Sequence, residues 1–381
     1  MMLNTELLYD VAVIGGGLAG LSTAISCAQK GVKVILFEKE NYPFHKVCGE
    51  YISMHSWNYL HELGINLNAF KVPFITKLLV SSPSGKIFRS PLQPGGFGIS
   101  RYTLDAALKN EALKNGVAVI ENCRVDQAIY NKGSFEVSTP AGKIKAKVCT
   151  GSFGKRSNLD IKWKRPFVTD RSTRLNNYIG VKYHVRADLP EDIISLHNFE
   201  DGYCGISRID NGLYCLCYLT TAANLKKSDN CVSRMEADIL CKNPHLKDIF
   251  SNVSVDYAVP LTISQISFRK KSVVHDHVLL NGDAAGMISP LCGNGMTMAL
   301  HSGKILSSLI VDYLDNATDR QQLEQRYQNE WNKHFSSRML TGRMIQSMFG
   351  RKTTTDLLIS FVNNVPAFGN FLIQKTQGSS F

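Results

Sequence analysis

Three glycines and one acid set the chemistry that this sequence can do. Gly15, Gly17 and Gly20 stand in G-x-G-x-x-G spacing, and Glu38 closes the segment that follows them. Glycines so spaced allow a tight turn, a close approach of backbone to a pyrophosphate, and close packing of a helix on a strand. The N–H groups of Leu18 and Ala19, at the start of that helix, add donors and the positive end of a dipole. Glu38 offers acceptors to both hydroxyls of a ribose, and its charge opposes a 2′-phosphate, so NADP is not expected here. Lys39 follows the acid and is taken with it as a cofactor contact. The chemistry implied is the binding of a dinucleotide.

The elements that must position these residues are legible around them. Asp10 to Ile14 is an apolar run of the kind found in buried parallel strands. Leu18, Leu21, Ala24, Ile25 and Ala28 repeat at helical period, and Gly31 closes the helix. Val32 to Phe37 reads as a second buried strand. A glycine triplet alone is often only a turn. Strand, turn, helix, strand and acid in this order supply the context that the motif requires.

A second constellation lies near the other end. Gly282-Asp283 follows the apolar run Val278 to Leu280 and precedes a glycine-rich helix start from Pro290 to Met296. An acid at Asp283 can bond the ribityl chain of a flavin. A helix beginning near Gly293, Asn294, Gly295 and Met296 directs N–H groups at the pyrimidine end of an isoalloxazine, where a reduced flavin is negative. An ordinary strand–turn–helix unit is the plainer reading, and it loses ground beside the N-terminal fingerprint.

At 381 residues the chain exceeds one simple core, so two interleaved units are expected. Hydrophobic residues make 44% and charged residues 20%, an ordinary globular balance. No apolar stretch is long enough to span a bilayer. The first strand begins so early that no cleavable leader is expected. The ten cysteines form neither a C-x-x-C pair nor a zinc spacing, so no metal is expected and a reduced, cytoplasmic setting is the simplest reading. Cys215 and Cys217 alternate along an apparent strand and are read as packing. The net charge of +11 is scattered, with short clusters at Lys162 to Arg165 and Arg269 to Lys271. No nucleic-acid motif accompanies it, which leaves a basic surface first, and peripheral membrane or acidic-carrier contact second.

Between the two signatures, Ser56 to Leu63 reads as a helix, and Ile75 to Val80 with Lys86 to Phe88 as a hairpin. A helix starts at Arg101, and a strand covers Val117 to Ile120. Phe135 to Val137 and Lys143 to Val148 form another hairpin. Asn177 to Thr221 alternates like an antiparallel sheet that could roof a pocket. Asp229 to Cys241 is helical, as is much of Asp319 to Phe349. Leu357 to Ile373 gives apolar helices, broken at Pro366, that pack on the body or cover the substrate entrance.

Three stretches together resemble a known superfamily: VAVIGGGLAG with Glu38, ISRYTLDAAL, and LLNGDAAGMISPLCGNGMTMAL. They look like the FAD-dependent oxidoreductases of the geranylgeranyl reductase and p-hydroxybenzoate hydroxylase superfamily, from Tyr9 to about Ile310. HKVCGEYIS is most similar to the K-x-C-G segment of the geranylgeranyl reductases, which reduce isolated C=C bonds in prenyl chains. The resemblance implies an α/β fold with an α+β substrate part. A Rossmann-like FAD-binding domain (1–70, 98–160 and 270–315) would carry an inserted antiparallel-sheet substrate domain (71–97 and 161–269), with C-terminal helices over 316–381. FAD would be held non-covalently. Arg101 would contact it, Val125 would sit at the adenine, Gly282 and Asp283 would hold the ribityl-pyrophosphate, and Lys46, Cys48 and Gly49 would lie beside the ring.

One departure bears on the electron donor. Hydroxylases of this group carry an Asp-Gly motif linked to FAD and NADPH, but here CTGSFGKRSNLD puts Phe153 in place of the Asp. No second strand–GxGxxG–helix unit is present. NAD(P)H, ferredoxin or another donor protein would bind transiently, without a Rossmann domain of its own.

Cys48 is either a proton donor beside flavin N5 or a small packing residue, as free cysteine often is. Glu50 reads equally as a general acid and as a solvated or helix-capping residue. Three functions fit. The first is an FAD-dependent reductase or dehydrogenase acting on a prenyl-, lipid- or polyketide-like substrate. The second is a monooxygenase of an aromatic or carrier-bound substrate; halogenation is weakened by the lack of W-x-W-x-I-P. The third is a non-enzymatic protein similar to the GDP-dissociation inhibitors. The first two require a yellow protein with non-covalent FAD, and a chain that stays colourless after incubation with FAD would overturn them. Gly17→Val should abolish FAD binding, because a side chain would fill the pyrophosphate's space. Retained FAD in that variant, measured by the visible spectrum, would show that the fingerprint is misread.

Overall fold

A computed structural model describes residues 8–169, 177–257, 259–376, 378 and 380–381. Residues 1–7, on which the reading of no leader rests, lie outside them. The first apolar run forms the strand Leu8–Ile14, whose last four residues are buried. It pairs in parallel with Val34–Phe37 on one side and with Gly142–Gly151 on the other, in the registers Val11↔Val34 and Val11↔Val148. Ala118–Ile120 and Val278–Leu280 extend this parallel sheet at its two ends. A strand covered on both faces has no polar side, which is why these runs are continuously apolar.

The helix Leu18–Ala28 lies against this sheet. At Gly20 an added Cβ would overlap the carbonyl oxygen of Gly15, so the helix sits on the turn at a distance only glycine permits. Gly15 has φ 103, a left-handed conformation that leads the chain from strand into helix. The helix Gly295–Leu314 runs beside Leu18–Ala28, and a Cβ at Gly303 would overlap the Ser22 hydroxyl.

A second sheet is built mainly of antiparallel pairs. Tyr178–Arg186, Ile193–Phe199, Gly202–Arg208 and Tyr214–Thr221 form its centre. Phe74–Ser81 and Ile87–Gly98 extend it, and Phe74–Ser81 joins Ile193–Phe199 in parallel. The 75–88 hairpin is therefore longer than its apolar core, because its outer residues find ladder partners that sequence alone does not reveal. Tyr51–Ser53 needs a correction. The sequence reading placed it with the first unit, but it pairs with Gly96–Gly98 at the edge of the second sheet. Asp229 to Cys241 is also corrected: the helix covers Val232–Asp238 and a 3₁₀ turn follows at Leu240–Lys242, after positive φ values at Asp229 and Asn230.

Strand alternation sorts the second sheet into two faces. Val181, Leu216 and Tyr218 point to an apolar layer with Met235, Leu246 and Ile249. Lys182, His184, Cys215 and Cys217 occupy alternate positions on the same strands, and the bonds of Lys182, His184 and Cys215 show that this other face meets the segment 46–50.

After the capped helix Arg320–Trp331 come Ser337–Met348, Lys352–Asn364 and Pro366–Thr376. The last two are bent by 111° at Pro366, where the missing N–H and the fixed ring forbid a continuous helix. Among the described residues no single helix is long and apolar enough to cross a membrane.

Candidate active site

Gly17 caps the helix Leu18–Ala28 without a side chain, so the first-turn N–H groups face outward. A Cβ added there would lie 3.6 Å from Arg101 Nη2 and 3.8 Å from Lys46 Nζ. Two cations thus stand before a helix N-terminus. Both share one buried acid. Arg101 donates to Asp105 through Nε and Nη2, each at 2.7 Å, and Lys46 Nζ reaches the same carboxylate at 3.0 Å. Burial pushes the Asp105 carboxyl up, but Arg101 and Lys46 outweigh it and hold it below the usual carboxylate range. The trio keeps one net positive charge beside the amides, which fits a diphosphate.

Glu38 is buried, with Oε2 accepting from Gly16 N–H at 2.8 Å and Oε1 from Glu40 N–H at 3.1 Å. A carboxylate has about four lone-pair directions, so acceptors remain for a ribose. The Tyr42 hydroxyl donates to the Gly16 carbonyl and closes the turn from the other side. Cys123 N–H donates to the Glu38 carbonyl at 2.8 Å, which brings the 123–125 segment beside the acid. Val125 is buried there, and its carbonyl accepts from Asn158 Nδ2 at 3.0 Å. Lys39 is not brought in. Its ammonium is exposed and pairs with Glu40 at 3.4 Å.

At the second signature, Gly282 has φ 56 and donates its N–H to Ser302 Oγ at 3.1 Å. Two buried cations hold this turn from behind. Lys271 Nζ donates to the carbonyls of Asp283 and Lys155 at 2.8 and 2.9 Å, and Arg165 Nη1 donates to the Ala284 carbonyl at 2.9 Å. Burial pushes the Lys271 ammonium down to about 8. Neither cation was found from sequence, although both sit in the two short basic clusters. The Asp283 side chain remains half-buried at the front. Beyond it, Gly295–Leu314 starts after Gly293, in the left-handed region at φ 64, and Asn294, which makes no side-chain cap. Its first N–H groups are therefore open, while Met296 turns into the core.

The segment His45 to Glu50 crosses between these two places. Cys48 is half-buried on it. Glu50 is fully buried. Oε1 takes Lys182 Nζ at 2.5 Å and Arg101 N–H at 2.7 Å, and Oε2 takes His184 Nε2 at 2.6 Å. Burial raises its pKa, yet Lys182 and His184 overcome this and keep it ionised, so it is not a general acid. Glu50 does cap the helix Arg101–Lys114, one of the roles its sequence allowed. Glu50, His184 and Cys215 lie close enough together for a metal, but the Lys182 ammonium already fills the role of the cation.

A cavity of ≈ 130 Å³ opens beside Tyr51, Gly293 and Asn294. Leu78, Val80 and Phe88 of the second sheet form one wall, and Ile359, Val362 and Ile373 of the C-terminal helices form the other. The C-terminal helices thus pack on the body and line the cavity.

Comparison with known proteins agrees with this geometry. A model of the FAD binding domain matches residues 10–45, and one of squalene epoxidase matches residues 213–345. The chain is 26% identical to conditioned medium factor receptor 1 of Dictyostelium discoideum, over 87% of this chain and 69% of the relative. It is 23% identical to digeranylgeranylglycerophospholipid reductase 2 of Methanopyrus kandleri, over 92% and 88%. It is 24% identical to a 1H-pyrrole-2-carbonyl-[peptidyl-carrier protein] brominase of Pseudoalteromonas luteoviolacea, over 81% and 78%. Among solved structures, a flavin-dependent brominase shares the fold at TM-score 0.79 and 20% identity, covering 98% of this chain and 94% of the other. A geranylgeranyl bacteriochlorophyll reductase-like protein of Thermoplasma acidophilum does so at 0.72 and 19%, covering 93% and 91%.

The residues present fit FAD: amides and paired cations for the diphosphate, a buried acid for a ribose, and an open helix start for the ring. Glu38→Ala should weaken FAD by roughly 1.5–3 kcal/mol, or about one to two decades, through loss of charged acceptor bonds. An unchanged dissociation constant in a fluorescence titration would remove Glu38 from the ribose.

Proposed function

We propose that the chain, an FAD-dependent oxidoreductase similar to the geranylgeranyl reductases, reduces, or in reverse dehydrogenates, a C=C bond of a hydrophobic prenyl-, lipid- or polyketide-like substrate. The observation that carries this reading is the apolar cavity that adjoins Gly293 and Asn294. A long aliphatic or isoprenoid chain loses its hydration shell there at no polar penalty. FAD, when bound, supplies hydride transfer at N5. Every other requirement falls to the chain. Lys46, Arg101 and the amides after Gly17 hold the diphosphate, Glu38 the ribose, and Asp283 the ribityl end. The aliphatic walls exclude water from the reacting carbons.

Hydride addition to one carbon leaves the other in need of a proton. The half-buried Cys48 is the proposed source: its S–H bond breaks, a C–H bond forms, and a thiolate remains. The electron donor, NAD(P)H or a protein, would dock transiently.

The likeness to brominases keeps a second reading: an oxygen-using enzyme acting on an aromatic or carrier-bound substrate. One experiment separates the two. The reduced holoenzyme should be reoxidised by an unsaturated prenyl substrate under anaerobic conditions. Cys48→Ser should keep FAD and slow that step by about 100-fold, the lower end of the range for loss of a positioned proton donor, with little change in flavin reduction. Wild-type speed in the variant would make the thiol a packing residue. Reoxidation by oxygen alone, with an oxygen or halogen atom gained by the product, would establish the second reading.

Peripheral contact with an anionic bilayer belongs to the same proposal. The helices that line the cavity with Ile359 and Val362 expose Leu357, Phe361 and Phe371 on their outer side. Arg351, Lys352 and Lys375 are exposed nearby, and Asp356 is the sole acid in residues 337–376. Apolar anchors ringed by cations suit an anionic lipid surface. Phe361→Asp with Phe371→Asp should lower sedimentation with phosphatidylserine vesicles at least tenfold while leaving FAD bound. Unaltered sedimentation, or none by the wild type, would count against the contact.

A further inference from the structure

Three successive carbonyls of the 46–48 segment are each held by a side chain from elsewhere. Lys182 Nζ donates to the Lys46 carbonyl at 3.1 Å, Lys155 Nζ to that of Val47 at 3.3 Å, and Cys215 Sγ to that of Cys48 at 3.2 Å. A trans peptide is planar, with its C=O and N–H pointing in opposite directions. Fixing these carbonyls therefore fixes the N–H groups of Val47, Cys48 and Gly49, each aimed away from its clamp. Among the described residues these three N–H groups have no hydrogen-bond acceptor.

The ends of the segment show what they face. Lys46 Nζ stands at the Gly17 cradle, and Tyr51 lies 3.1 Å from where a Cβ on Gly293 would be. The segment thus runs from the diphosphate end of the cofactor site to the ring end. Lys182 ties it at both ends, since the same Nζ holds the Lys46 carbonyl and Glu50 Oε1. Glu50 has φ 55, a left-handed conformation uncommon for a residue with a side chain. Its bonds to Lys182, His184 and the Arg101 N–H maintain it.

We infer that Lys182, Glu50, His184 and Cys215 are positioning residues that preset the amides of Val47, Cys48 and Gly49 as donors to the negative charge of reduced FAD. In going from FAD to its anionic reduced form the cofactor takes up two electrons and one proton. Donors fixed before that charge appears stabilise it without reorganising. The network therefore favours the reduced over the oxidised cofactor. The inference rests on FAD occupying this site and is independent of which substrate is used.

The test is an anaerobic titration of the holoenzyme with dithionite beside a reference dye, read from the visible spectrum without substrate. Lys182→Met should weaken reduced FAD about tenfold more than oxidised FAD, a fall of about 30 mV for a two-electron couple. Cys215→Ala should shift the potential in the same direction by less, and Cys215→Ser, which keeps a donor, should restore it. Equal weakening of both redox forms would mean a structural role only and would overturn the inference, as would an unchanged potential in variants that keep FAD. If Lys182→Met does not fold, the Cys215→Ala and Cys215→Ser pair decides alone.

Discussion

A buried carboxylate must be matched by charge, and Glu50 is where this structure meets that demand. Its side chain is fully excluded from water, and three donors reach it from two units: Arg101 N–H from the first, Lys182 and His184 from the second. Removing one partner of a buried pair typically costs about 3–5 kcal/mol, because the other is left uncompensated. The two sheets are therefore not free to slide. Any shift of Tyr178–Arg186 relative to the helix Arg101–Lys114 would strand either an ammonium or a carboxylate. The segment 46–50 lies in this clamp, held to both units.

The parts of the site that were legible in the sequence are those whose physics is local. The fingerprint was readable because turn, helix start and terminal acid are steric and electrostatic needs met within thirty consecutive residues. Gly17 and Glu38 stand where those needs put them. What the sequence hid depends on partners far apart in the chain. Glu50 and Lys182 are 132 positions apart, and Arg165 meets Ala284 across 119. One signal was present nonetheless. Lys182 and His184 interrupt an otherwise apolar strand at alternate positions, which places two polar groups on one face. Buried cations of that kind require an acid, and Glu50 is the one the fold supplies. Tyr51–Ser53 was misassigned for a related reason, since a three-residue edge strand carries almost no periodicity of its own.

Polar and apolar work are divided cleanly. On the first unit, helix termini, glycine turns and paired cations gather charge that suits a dinucleotide. Across Tyr51 and Gly293 the surroundings become aliphatic within a few residues. The first set of requirements is the same for any enzyme that uses FAD. The second depends on the substrate and draws on strands and helices whose side chains can vary without disturbing the turns. This explains in physical terms how one architecture serves relatives named as reductases and as brominases.

The C-terminal helices follow a different rule. A helix that faces water on one side keeps its apolar residues on the other. In Lys352–Asn364, Ile359 and Val362 are buried against the cavity, but Leu357 is 71% exposed and Phe361 is 49% exposed. The helix is apolar on both faces. Exposed apolar surface carries a penalty of roughly 25 cal/mol per Å², which a soluble scaffold would remove by substitution with polar residues. An outer face of this kind suits contact with another apolar surface, the bilayer contact proposed above. The bend at Pro366 turns the next helix so that Phe368 meets Phe361 edge-on and stacks with Phe371, gathering the aromatic rings into one patch. The same helix thus has the cavity on one side and this patch on the other, and a hydrophobic substrate passing between them would have only the thickness of that roof to cross.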